Sequence, residues 1–148
     1  MSALKRAAAN DLDAVVALQR AAYAKNRPLL GVEPLPLLAD YRQVFADYEV
    51  WLAENAGALD GALILEPRAD DLLIWSVAVA PAAQGRGVGN VMLRFAEKRA
   101  RELGRTCIRL YTGAPLTSNI AWYKRQGYVH ESTEDMGDRV VVNLIKHL

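Results

Sequence analysis

The stretch Val77-Ala-Val-Ala-Pro81-Ala-Ala-Gln84-Gly-Arg-Gly-Val-Gly89-Asn90 runs from an apolar segment, through a proline, into three glycines at alternate positions. Upstream, Leu72 to Val79 is apolar except for Ser76, the pattern of a central strand buried on both faces, and Pro81 stops it. Downstream, Val88, Val91, Met92, Phe95, Ala96, Arg99 and Leu103 repeat at three-and-four spacing, which predicts a helix over 88–103 ended by Gly104. A strand, a glycine loop and a helix start in direct succession form an anion site. Glycines let the chain take positive φ and turn several N–H groups inward. The helix N-terminus adds unpaired amides and the positive end of its dipole. The expected phosphate ligands are therefore Gln84, Gly85, Gly87, Val88, Gly89 and Asn90, with Arg86 able to add a side-chain charge or to face solvent. The loop lacks the Lys-Ser/Thr pair of a Walker A loop, which disfavours an NTPase. Its third glycine comes one residue too early for a dinucleotide fingerprint, and it lies more than halfway along the chain. A turn that serves packing alone is the plain alternative.

Outward from that loop the pattern stays mixed. Leu4 to Ala7 reads as a short edge strand. Asn10 or Asp11 caps a helix running to Tyr23, ended by Asn26-Arg27-Pro28. Leu29 to Pro36 holds Gly31, Pro34 and Pro36, so it is expected to be irregular, and a second helix is predicted from Leu37 to Phe45. Strands follow at 49–54 and 58–66 around Asn55-Ala56-Gly57, a hairpin signal. Thr106 to Thr112 reads as a strand, Thr117 or Ser118 caps a helix to Gln126, and strands 128–132 and 139–145 close the chain. The expectation is a single α/β domain (α+β mixed) over residues 1–148, in the order βααβββαβαββ.

Bulk properties narrow the classes. The chain is 52% hydrophobic and 24% charged with a formal net charge of +1, so no global field argues for nucleic acid or an anionic membrane. No apolar run approaches a membrane span. Met1–Arg6 lacks an apolar export signal, which makes the cytoplasm the expected compartment. The lone Cys107 reads as a small core residue, and no metal-ligating cluster is seen.

Gln84-Gly-Arg-Gly-Val-Gly89 resembles the Gln/Arg-x-x-Gly-x-Gly/Ala signature of the GNAT superfamily of N-acetyltransferases. A second block, Asn119-Ile-Ala-Trp-Tyr123-Lys-Arg-Gln-Gly127-Tyr128, is similar to the family's Asn-x-Ala-x-Tyr element followed by Gly-Phe/Tyr. The resemblance spans nearly the whole chain. It implies the GNAT-like fold, a central and mostly antiparallel twisted sheet flanked by helices. It also implies acetyl-CoA as co-substrate and direct attack by a primary amine of a small molecule or peptide on the thioester. Val77, Ala78 and Val79 would then pair with the pantetheine arm, and a bulge there would present an amide to the acetyl carbonyl. Tyr123 would donate the proton to the departing thiolate, because a phenol is protonated at neutral pH. Asn119 would hold the cofactor arm, although many relatives carry that asparagine seven residues before the tyrosine, where this chain has Leu116.

The general base is less visible. The strand Leu72–Ser76 has no carboxylate where some relatives place one. Asp70 and Asp71 precede it and read as a solvated bend. Glu33, in the irregular loop, is the candidate that would face the acceptor. Tyr23, Leu29, Leu30, Tyr41, Trp51 and Trp75 are candidates to line an apolar acceptor site. The missing carboxylate leaves open a non-catalytic acyl-CoA-binding or regulatory module, and a nucleotide-phosphate enzyme is the remaining alternative. The last strands are apolar, and such strands often pair between subunits in similar proteins, so a homodimer stays open.

Overall fold

The computed structural model describes residues 4–148; Met1–Ala3, part of the segment read for an export signal, lie outside the described residues. Strand β1 (Lys5–Arg6) leads into helices α1 (Leu12–Tyr23), α2 (Arg27–Leu30) and α3 (Tyr41–Asp47). Strands β2 (Glu49–Asn55), β3 (Ala58–Pro67) and β4 (Leu72–Val79) follow as a meander. Then come α4 (Val88–Glu102), β5 (Cys107–Gly113), α5 (Thr117–Arg125), β6 (Val129–Asp135) and β7 (Val140–His147). One sheet in the order β1-β2-β3-β4-β5-β7-β6 holds all the strands. Every pairing is antiparallel except β4 with β5. The sheet has a core on each face. Leu63, Leu65, Leu72 and Ile74 pack with Met92, Leu93 and Ala96 of α4. Ala62, Ile64, Val50 and Leu52 pack with Val15 and Leu18 of α1 and Val44 of α3. Successive residues of β2 and β3 alternate between these two cores.

Three local expectations are corrected. Helix α3 starts at Tyr41, four residues later than predicted, because Asp40 accepts a hydrogen bond from the Arg42 amide at 3.0 Å while Leu35–Leu37 closes a separate 3-10 turn behind Pro34. The short helix α2 spans the expected stop at Arg27-Pro28 and the first two residues of the segment read as irregular, with Pro28 in its first turn and Gly31 closing it at φ 73°. Asp11 does not cap α1 forwards; its carboxylate reaches back to the Ala8 amide at 2.8 Å.

In the turn before β4, Asp70 is exposed as expected of a solvated bend, and Asp71 is instead a lock. Asp71 is 3% exposed, receives Nε and Nη2 of Arg68 at 2.7 and 2.6 Å, and receives Nη1 of Arg109 from β5 at 2.9 Å. The Arg68 guanidinium, followed by that of Arg109, outweighs burial and holds the carboxyl below the usual aspartate range. A folded-state pKa below the unfolded one gives stability that is present above the unfolded value and is lost as pH falls through the folded value. Asp71→Asn is expected to lower unfolding free energy by about 2–3 kcal/mol at neutral pH, because the two guanidinium groups lose the buried negative charge between them and one of its acceptor oxygens. Urea titrations at pH 7 and near pH 3 should show the gap between wild type and variant closing in acid.

Candidate functional site

Strands β4 and β5 are hydrogen-bonded only from Leu72↔Ile108 to Ile74↔Leu110. Beyond Ile74 they part, and the gap is a cleft of about 540 Å³. A bulge initiates the parting. Ile64 opposes Ser76 while Leu65 opposes Ile74, so Trp75 is the extra residue. The bulge expected within Val77–Val79 thus lies two residues earlier, where the β3–β4 pairing shifts. Its effect is to reset the alternation. Leu72 and Ile74 belong to the α4 core, Trp75 and Ser76 both turn toward α1, and Val77 and Val79 face the α4 side again.

That reset brings the Ser76 hydroxyl into a buried polar chain. Gln19 Nε2 donates to Ser76 Oγ at 2.9 Å and to the Tyr41 hydroxyl at 2.8 Å, and Tyr41 donates to the Pro36 carbonyl at 2.7 Å. The Tyr23 hydroxyl lies 2.9 Å from Ser76 Oγ and 3.4 Å from the Val77 carbonyl oxygen. Burial pushes the Tyr23 phenol upward. Sequence reasoning missed this chain; its one visible signal was a lone serine in an apolar strand.

The other wall carries the glycine loop. Gly85 and Gly87 have φ of 83° and 79°, and a Cβ at either would meet nothing within 4 Å, so conformation and the open space before them require glycine rather than packing. Gly89 differs, since its Cα lies under the Trp122 ring and a Cβ would press on it at 3.0 Å. Trp122 Nε1 also donates to Asn90 Oδ1 at 2.8 Å, so α5 pins the first turn of α4. The first helical bond of α4 is Val91 N–H to the Gly87 carbonyl, and among the described residues the amides of Gly85 through Asn90 have no acceptor. Because the Ala80 amide donates to Asp60 across the β3 edge, alternation turns the amides of Val77 and Val79 to the open edge. The free amides of the loop and of the β4 edge line one cleft.

Tyr123 enters this cleft from α5 and Tyr23 from α1 on the opposite face of the sheet. Tyr123 packs against Trp122 and Tyr128, with ring centroids 4.8 and 5.9 Å away, and among the described residues its hydroxyl has no hydrogen-bond partner. Burial, and then the neighbouring Tyr23 phenol, raises its pKa far above the ordinary phenol value, so it stays protonated. Asn119 lines the same cleft, together with Val77, Ala78, Val79, Gln84 and Val88. Two expected residues stand apart. Arg86 is exposed outside the cleft wall. Glu33 is not on the wall either, and its carboxylate is paired with Arg27 at 2.8–2.9 Å. Of the residues expected to line an acceptor site, Tyr23, Leu30 and Trp75 do so. Tyr41 belongs to the α1 core, Trp51 stacks on Phe95 at 4.7 Å, and Leu29 is exposed.

A splayed parallel pair, a bulged central strand and a glycine loop on α4 converge on one family, and the sequence matches the acetyltransferase (GNAT) family over residues 12–128. The chain belongs to the GNAT family of acetyltransferases. No curated protein matches it. Among solved structures, this acetyltransferase-family chain is similar to PaiA N-acetyltransferase from Thermoplasma acidophilum in complex with coenzyme A, at 18% identity and a TM-score of 0.80 over 100% of both chains. It is also similar to the ribosomal-protein-alanine N-acetyltransferase from Brucella melitensis, at 22% identity and a TM-score of 0.75, with 99% of this chain and 100% of that one covered. An IAA acetyltransferase from Bacillus cereus is a further likeness, at 20% identity and a TM-score of 0.73 over 99% of each. At such identities the likeness speaks for the GNAT fold alone. No helix among the described residues is long and apolar enough to cross a membrane.

Proposed function

We propose that this chain, as one acetyltransferase domain, moves an acetyl group from acetyl-CoA to a primary amine, with Tyr123 as the general acid. The observation that carries the reading is two sets of unpaired backbone amides, those of the loop at the start of α4 and those of Val77 and Val79 on the open edge of β4, beside the one cleft that Tyr123 enters. The donor set fits the ligand. Unpaired amides of a glycine loop and a helix N-terminus suit a pyrophosphate, and the edge amides of Val77 and Val79 suit the two amides of a pantetheine arm. Bound acetyl-CoA would supply the activated thioester. The protein would hold it along β4 beside Tyr123; the amine would attack the thioester carbonyl and break the C–S bond, the Tyr123 proton would pass to the departing sulfur, and the proton lost by the amine would restore the phenol through water. Glu33, tied to Arg27 outside the cleft wall, holds the α2 turn in this reading and takes no proton from the amine. Thermal denaturation tests the reading: acetyl-CoA in excess should raise Tm, and free thiol should appear when an amine acceptor is added. An unchanged Tm at millimolar acetyl-CoA would refute it.

Lys25 adds a contact that the loop signature did not contain. Its Nζ reaches Gln84 Oε1 at 3.2 Å from the end of α1, and both residues line the cleft. In the proposed complex this ammonium stands beside the phosphates. Lys25→Ala should weaken acetyl-CoA binding about 3- to 10-fold in calorimetry at low salt, with the difference shrinking as salt screens an exposed charge.

A second reading, an acyl-CoA-binding module without turnover, is favoured by one observation: among the described residues no aspartate or glutamate lines the cleft. Binding of acetyl-CoA with no thiol released by any amine would select it.

A further inference from the structure

The same absence of acids bears on the acceptor. The two charged side chains on the cleft wall, among the described residues, are both cations, Lys25 and Arg139. They stand at different places. Lys25 is at the phosphate loop on Gln84. Arg139, just before β7, donates Nη1 to the Glu33 carbonyl at 2.7 Å and so stands against the turn between α2 and α3. Its side chain is only 9% exposed. Nε and Nη2 reach Asp138 at a loose 3.2 Å each, and that carboxylate is 61% exposed and solvent-screened. The Glu33 carboxylate is taken by Arg27, six residues before it, rather than by Arg139. A nearly buried guanidinium therefore keeps one N–H on each terminal nitrogen without a partner among the described residues, on a cleft wall that also includes the aliphatic side chains of Leu30, Leu35, Leu116 and Val140.

Such a wall selects. An acceptor with a second ammonium finds no carboxylate to receive it and meets like charge. A carboxylate finds the remaining N–H donors of the Arg139 guanidinium, and an apolar body finds aliphatic cover. We propose that the acceptor is a monoamine that carries a carboxylate on an apolar body, the class of apolar amino acids, and that Arg139 is the anchor for its carboxylate. This rests on the acetyl-transfer reading given above.

The test compares L-phenylalanine and L-leucine with phenethylamine, isopentylamine and spermidine, following thiol release with acetyl-CoA in wild type and Arg139→Gln. The amino acids should exceed their decarboxylated counterparts at least about 10-fold in kcat/KM, mainly through KM, and Arg139→Gln should bring that ratio near unity. A second readout is independent of turnover: with free CoA present, L-phenylalanine should raise Tm of wild type further and leave that of Arg139→Gln unmoved. Retention of the acetyl-CoA thermal shift shows that the variant is folded. A preference for spermidine or for the decarboxylated amines, or a ratio unchanged in Arg139→Gln, overturns the acceptor assignment while acetyl transfer stands. Loss of any acetyl-CoA thermal shift in wild type overturns the transfer reading, and the acceptor assignment with it.

Discussion

Tyr123→Phe is expected to lower kcat about 100-fold or more while leaving acetyl-CoA affinity within about twofold of wild type. The substitution removes a hydroxyl that has no hydrogen-bond partner among the described residues, so no buried group loses its partner. The ring stays against Trp122 and Tyr128 and the fold should be untouched, with Tm within a few degrees. A large loss of rate in a stable, cofactor-binding protein would isolate proton donation. The sign of the pH effect follows from the direction of the shift. Burial and the Tyr23 phenol raise the folded pKa, so the proton is retained as pH rises through the ordinary phenol value. A decline of kcat dependent on Tyr123 should therefore be absent below about pH 10. A variant with wild-type kcat would remove Tyr123 from the chemistry and leave it a packing residue.

The elements legible in the sequence were those fixed by local pattern. The α4 helix announced itself by its apolar spacing and by Gly104, because one face of it packs on the sheet, and β4 by an apolar run broken only at Ser76, because it is buried or half-buried throughout. The glycine loop was legible for the same reason: Gly85 and Gly87 sit at positive φ, a demand that one residue type meets. What the pattern did not reveal depends on distant partners. The bulge at Trp75 arises from the register of β3 against β4, and nothing in residues 72–79 alone marks it. Asp71 reads as a bend acid until Arg109, from another strand, is placed on it. Gln19 looks like a helix-surface residue, yet it is fully buried because Ser76 and Tyr41 satisfy its amide nitrogen. Glu33 was chosen as the acid of the acceptor loop, and its carboxylate pairs with the nearby Arg27 while its carbonyl receives Arg139. Pairing of this kind follows from side-chain direction, which loop sequences do not encode locally.

Gly87→Glu is expected to abolish the acetyl-CoA thermal shift, which in wild type should reach about 5–10 °C at a ligand concentration near 100 times Kd. Two physical effects act, and they are separable. Gly87 has φ 79° as the residue preceding α4, so any L side chain there strains the backbone by about 1–2 kcal/mol. A glutamate carboxylate would in addition stand before the free amides of Val88, Gly89 and Asn90, satisfying the helix dipole itself and repelling a phosphate. Gly87→Ala carries the strain without the charge. Since a Cβ at this position meets nothing within 4 Å, the alanine variant should fold, lose a few degrees of Tm and keep a reduced acetyl-CoA shift. The glutamate variant should match it in unliganded stability, or exceed it, and show no shift at all. If both variants keep the full wild-type shift, phosphate is not held at the N-terminus of α4, and the loop's glycines serve the turn alone.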